Sequence, residues 1–419
     1  MAKLYKLYYF VVLLLCFVES LCDVLCEPGF CSEFRQETGC GRTAPECRIN
    51  NATHHGLTLA SPTICNCCEF CLPTFNEGDH CSRGGPGLGT TIGRCGHGLT
   101  CVAEAGGNFC RRMTTPCHRA QDDFDRRHLT GNTGALEERP ECDGKGKYGV
   151  VACVPTQTCF CQSETGERIF GEAPYLGPQT KQNMHCRCSR LHEEIKRNLG
   201  PGLRKPVVGP RCTPDGNFFP IQCLDRTCHC VDTATGVVRQ GSGTTVNLDK
   251  RPMTDLVCYD ASLDPYPEQH RGQPPFNYTT TCIKGIQDRV DLIEQSRDEG
   301  FNVDFYSTVT GCLPDWTQTR IAVRNRTRIC VDDRGKQIGN YQAAPNTPEF
   351  NNMDCKCAHT TSIMGSSSET PVCCANGNFR RIQCRRGMCR CVDSDGRQEG
   401  LERADVTRLS CFTQNWRTC

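Results

Sequence analysis

The chain has 419 residues, of which 38 are cysteine and only 37 % hydrophobic, and its formal net charge is +1. The apolar share falls below the roughly 45 % usual in globular chains, which excludes one large core and favours small modules held by cross-links. A charge so near zero gives no reason to expect nucleic acid or a bulk anionic surface as the main partner, so any electrostatic recognition falls to local patches.

Lys3 and Lys6 precede an apolar run from Leu7 to Val18, with Ser20 close behind. The run is shorter than the roughly 20 residues that cross a bilayer, so residues 1–22 read as a signal peptide, with no membrane span after it. Export brings the chain into an oxidising compartment in which disulfides persist, each worth about 2–4 kcal/mol. A cut after Cys22 leaves 36 cysteines, an even number with no thiol left over. Residues 23–112 form the next module, with 12 cysteines from Cys26 to Cys110, including the dense run Cys65-Asn66-Cys67-Cys68-Glu69-Phe70-Cys71.

From there the chain repeats itself, and the period defines the units. Cys142, Cys153, Cys159 and Cys161 echo Cys212, Cys223, Cys228 and Cys230, and again Cys373, Cys384, Cys389 and Cys391, with a first spacing of 11 residues in all three. A glycine (Gly146, Gly216, Gly377) and an aromatic residue (Tyr148, Phe218, Phe379) follow each opening cysteine at fixed distance. Adding the leading and closing cysteines gives units at 117–186, 188–258 and 357–411. A fourth, altered unit spans 282–355, where Cys312 and Cys330 are 18 residues apart, as are Cys212 and Cys230. Its vacant positions are Val323 and Arg328. Losing both cysteines together implies that the corresponding pairs, Cys223 with Cys228 and Cys384 with Cys389, are bonded in the intact units, leaving Cys282–Cys312 and Cys330–Cys355 to hold this one.

Residues 259–281, with Pro265, Pro267, Pro274 and Pro275, read as a semi-rigid linker, so the two duplicated pairs of units are expected to move independently. Leu191, Ile195 and Leu199, and Ile286, Val290 and Ile293, have helical spacing, each stripe being a core face. The cysteine-rich halves read as hairpins with Gly and Asn-Gly turns. The fold class is therefore a small disulfide-rich multi-module protein, mostly loops and short antiparallel β, with short helices opening some repeats.

Gln222-Cys223, Cys228-His229-Cys230-Val231-Asp232, Gln383-Cys384 and Cys389-Arg390-Cys391-Val392-Asp393 make the units resemble thyroglobulin type-1 repeats. The family's usual Trp inside Cys-x-Cys is Phe160, His229 or Arg390 here, and the first unit has Gln162-Ser163 in place of Val-Asp. The module at 23–112 resembles the amino-terminal domain of insulin-like growth factor binding proteins, with Ile64 and Asn66 where that family has glycines. Together these resemblances imply a secreted, non-enzymatic binding protein without cofactor or metal. They imply first a carrier of an insulin-like peptide or related growth factor, and as alternatives an inhibitor of papain-like cysteine proteases or a matrix scaffold.

The candidate hormone contact is Leu88, Ile92, Leu99 and Val102. Arg380, Arg381, Arg385, Arg386 and Arg390 form a basic cluster that would suit heparan sulfate, because guanidinium groups pair well with sulfate-like oxyanions. Sequons at Asn51, Asn277 and Asn325 are candidate glycosylation sites. Without its short bridge, the loop around Asn325 is expected to be the most mobile of the four, making the 282–355 unit a spacer and leaving protease inhibition to the second or fourth repeat.

Overall fold

The computed structural model describes residues 29–42, 45–48, 56–60, 65, 67–83, 93–199, 209–263, 272, 274–302, 312–365 and 370–417. The expected signal peptide, Asn51, Leu88 and Ile92 lie outside them. The chain divides into two compact units, residues 1–113 and 114–419.

In the first unit, β1 (Gly56–Ala60) pairs antiparallel with β2 (Glu69–Phe75), to which β3 (Arg94–Cys95) adds in parallel. β4 (Leu99–Glu104) and β5 (Gly107–Arg112) form a hairpin closed at Ala105-Gly106. Cys67, Cys68 and Cys71 of the dense cysteine run bond Cys31, Cys40 and Cys47, tying the strands to helix Phe30–Glu37 and to the turn of helix at Pro45–Arg48. Cys81–Cys101 and Cys95–Cys110 fasten the hairpin.

The second unit repeats one plan four times: a leading helix, then a three-stranded antiparallel sheet whose second strand is central. Helix Pro116–Leu129 precedes β6 (Val151–Cys153), β7 (Thr158–Gln162) and β8 (Arg168–Pro174). Helix Arg187–Leu199 precedes β9 (Ile221–Leu224), β10 (Thr227–Cys230) and β11 (Thr245–Asn247). Helix Thr281–Asp298 precedes β12 (Ile321–Arg324), β13 (Thr327–Val331) and β14 (Gln337–Ala343), and helix Lys356–Met364 precedes β15 (Ile382–Arg385), β16 (Met388–Val392) and β17 (Gln398–Arg403). Thr115 and Thr280 cap their helices by accepting from the His118 and Ile283 amides, filling donors that a helix start otherwise leaves open.

Cys223 lies directly opposite Cys228, and Cys384 opposite Cys389, and both pairs are bonded. Val323 faces Arg328 at the same register, and bonds Cys282–Cys312 and Cys330–Cys355 hold that repeat. The bridgeless hairpin is closed by a two-residue turn, with Asn325 at φ 50° and Arg326 at φ 68°, both in the left-handed region that matches hairpin twist. Arg328 also stacks 4.3 Å above the Phe350 ring and donates to the Phe350 carbonyl, replacing the missing bond with a packed contact.

Within each duplicated pair the join is the same. The Asn217 side chain accepts from the His185 and Cys186 amides and donates to the Asn183 carbonyl, as Asn378 does for Asp354, Cys355 and Asn352. Gly216 and Gly377, at φ 87° and 81°, sit against the Cys161 and Cys330 sulfurs, where a Cβ would collide.

The pairs are not independent. Phe276 and Tyr278, from the end of the expected linker, pack into the second repeat's core, and the Tyr278 hydroxyl donates to the Ile221 carbonyl. Arg211, fully buried, lies 4.0 Å from the Phe219 ring centre, 5.7 Å from that of Tyr278 and 5.9 Å from that of Trp316 in the third repeat. Trp316 donates to the Gly209 carbonyl, and the Cys212 amide to Pro314. On the other side, the Leu136 amide of the first repeat donates to Gln398 of the fourth, and the Gly400 amide to Glu137. The four repeats therefore contact one another in a closed circuit.

Candidate protein-binding surface

The residues that make the repeats recognisable do structural work. The Gln222 amide donates to the Arg211 and Phe219 carbonyls and accepts from the Arg211 amide, and Gln383 does the same with Val372 and Arg380. Asp232 and Asp393 accept from amides two to four residues ahead, closing the turn after the central strand. Both motifs hold backbone in place.

Those tips differ in chemistry. The second repeat presents Leu224, 77 % exposed, beside Asp225, and the fourth presents Met388, 42 % exposed, beside Arg386. In both, a disulfide immediately behind the tip ties the two strands together. The third repeat presents Val323 and the exposed sequon Asn325, and the first shows only Thr156 at its turn, with Gln157 buried behind it.

The five arginines do not form one surface. Arg381 donates to the Val392 carbonyl and pairs with Glu399, and Arg380 is half-buried. Cross-strand register places Arg385 and Arg390 on one face of the hairpin, diagonal to each other, with Arg386 in the turn. Burial, then the Arg386 charge, lowers the Arg385 guanidinium from its ordinary range, and burial, then Arg385, lowers that of Arg390 against the opposing pull of Glu402. Of the five arginines, Arg385, Arg386 and Arg390 stand together at this tip.

In the first unit, Leu99 and Val102 lie three apart on β4 and so on opposite faces of it. Val102 faces Phe109, whose ring lies tilted against His80 with centroids 4.4 Å apart, whereas Leu99 faces Arg112. Both are half-buried, and the strand does not bring them to one contact. Asn277 is exposed between the inward-facing Phe276 and Tyr278. The sulfurs of Cys188 and Cys212 beside His192 are bonded to each other, and the His192 ring contacts the Pro210 carbonyl at 2.6 Å.

A buried polar network lies where the repeats meet, and no feature of the sequence pointed to it. Glu172 on β8 accepts from Arg168 and Thr158 of its own repeat and from His359 and Thr360 of the fourth. Burial pushes its carboxyl up, but Arg168 and His359 overcome that and hold it at about 2. His359 is 187 residues from Glu172 in sequence, a separation that local patterning does not encode.

Tandem, disulfide-closed hairpin units of this build define a class of small disulfide-rich repeats. Residues 188–249 and 356–411 match the thyroglobulin type-1 repeat family. The chain is 30 % identical to thyroglobulin of Mus musculus over 65 % of its own length and 9 % of that protein, and 27 % identical to thyroglobulin of Rattus norvegicus over 35 % and 5 %. It is 27 % identical to nidogen-2 of Mus musculus over 28 % of its length and 9 % of that protein. The chain thus carries thyroglobulin type-1 repeats and spans less than a tenth of these relatives.

Proposed function

We propose that the chain is an extracellular, non-enzymatic binding protein whose second and fourth repeats present hairpin tips to partner proteins, with papain-like cysteine proteases the class that the repeats favour. The observation that carries this reading is the pair of exposed apolar side chains, Leu224 and Met388, each standing on a hairpin closed by its own disulfide. A hairpin whose backbone is already closed loses little entropy on binding, and a few apolar anchors commonly dominate an interface. Disulfide density and the similarity to thyroglobulin and nidogen-2 support an extracellular setting.

Titrating a panel of papain-like proteases with the full chain tests this reading. Inhibition is expected, weakened roughly 30-fold, the equivalent of about 2 kcal/mol, by Leu224→Asp or Met388→Asp, whichever tip makes the contact. No inhibition by the folded chain, or inhibition untouched by both substitutions together, contradicts it. Growth-factor carriage stands second, resting on the cysteine framework of the first unit alone. Sulfated-glycan binding at Arg385, Arg386 and Arg390 is a subsidiary reading, checked by loss of heparin retention in Arg385→Ala/Arg386→Ala.

A further inference from the structure

His359 stands where three repeats meet. Its Nδ1 lies 3.1 Å from Glu172 Oε2 of the first repeat and its Nε2 3.2 Å from Arg320 Nε of the third. A guanidinium only donates, so Nε2 must accept, and Nδ1 then carries the proton that is donated to Glu172. The contact set is complete only for a neutral ring in this one tautomer.

The duplication supplies a built-in comparison. At the same place in the first pair, two residues after the leading cysteine, stands Arg190, which donates to the carbonyls of Tyr148, Gly149, Gln162 and Ser163. Arginine stays charged at any physiological pH, whereas histidine ordinarily titrates near 6.5. The second pair therefore carries a histidine at the position where the first carries an arginine.

We propose that His359 is a pH-responsive latch, which in its neutral form ties Arg320 of the third repeat to the junction and on protonation lets Arg320 go while keeping the first and fourth repeats joined. Uptake of one proton at Nε2 turns an acceptor into a donor and sets it against the Arg320 N–H, so that two donors and two positive charges face each other. Arg320 retains Asp315 and Thr317 as partners and can withdraw to them. The other side of the ring behaves oppositely, because the imidazolium still donates to Glu172 and now attracts its charge.

The groups facing His359 are Glu172 and Arg168 from β8, and Arg320 and Asp315 from the third repeat. On its own helix, Lys356 is held by Asp395 and Asp354. Glu172 stays ionised throughout the histidine range, since its carboxyl is held at about 2. The partner that keeps the protonated ring in place therefore persists while Arg320 is repelled. This inference is independent of which protein the hairpins bind.

Hydrogen exchange of the full chain at pH 7.5 and 5.5, corrected for intrinsic rates, tests the latch. Residues 312–321 should exchange about tenfold faster at pH 5.5, the equivalent of one charge-assisted hydrogen bond, while residues 168–174 keep their protection. In His359→Asn, which keeps a donor toward Glu172 but does not titrate, the pH dependence of 312–321 should vanish. Equal protection at the two pH values in the wild type, or the same pH dependence in the variant, overturns the proposal. Should the variant not fold, imidazole nitrogen shifts of the wild type decide: Nδ1–H at pH 7.5 is expected, and Nε2–H contradicts the latch.

Discussion

Burying a carboxylate costs several kcal/mol unless its lone pairs are filled, and Glu172 is buried with four donors around it from two repeats. Its carboxyl is held below the ordinary range, so the ionised form contributes stability at pH values above that range. The contribution is lost as pH falls from about 4.5 toward about 2. Glu172→Gln should cost about 3–5 kcal/mol at pH 7, because it leaves Arg168 without its anion, and should remove that part of the acid limb from the stability profile. Denaturant unfolding at pH 7, 4 and 3 checks both outcomes; a variant as stable as the wild type at pH 7 contradicts them. Gly216 and Gly377 make a second test. Alanine at either forces a side chain into left-handed backbone against a disulfide sulfur, at a cost of about 1–2 kcal/mol for the backbone alone, visible as a lowered Tm. Little of this residue-scale detail was legible beforehand. The glycines stood out as repeated positions, but Glu172, His359 and Arg211 make contacts across repeats that no local pattern carries.

The hairpins were the most legible elements, because bonded cysteines must lie opposite each other and their spacing fixes the register. Even the vacant pair at Val323 and Arg328 could be placed from the intact units. Left-handed turn residues and the Arg328–Phe350 stack stand at that hairpin where a bond stands in the intact units. The cross-strand pairing predicts that Val323→Cys/Arg328→Cys forms a disulfide without disturbing the repeat, read as a mass lower by about 2 Da and a fold unchanged by circular dichroism; two free thiols contradict the register. Helices were legible where apolar residues recur at helical spacing, as at Leu191 and Ile195 or Ile286 and Val290. Helix Pro116–Leu129 carries no apolar stripe in the sequence, since Cys117 and His118 alone are buried on it. Helix Lys356–Met364 has nine residues and is anchored by Cys357 and Ala358 more than by periodicity.

At the scale of the whole molecule, proline content suggested a spacer between two mobile pairs, and composition is a poor guide there. Phe276 and Tyr278 alternate inward along an extended segment, so the end of the supposed linker belongs to the second repeat's core. Arg211 then joins that core to Trp316 of the third repeat, and Glu172 and Gln398 join the first repeat to the fourth. The second and fourth repeats, which carry Leu224 and Met388, therefore belong to one contact-linked body.

The Arg211 junction offers the most direct test of that account. The chain has two tryptophans, and Trp416→Phe leaves Trp316 as the sole indole reporter. Trp316 is 8 % exposed beneath Tyr278 and Arg211, so its emission should be blue-shifted and resistant to acrylamide quenching, and Arg211→Ala should move both toward solvent values. A solvent-like, freely quenched Trp316 in the otherwise wild-type chain would contradict the single-body account and restore two independently moving pairs.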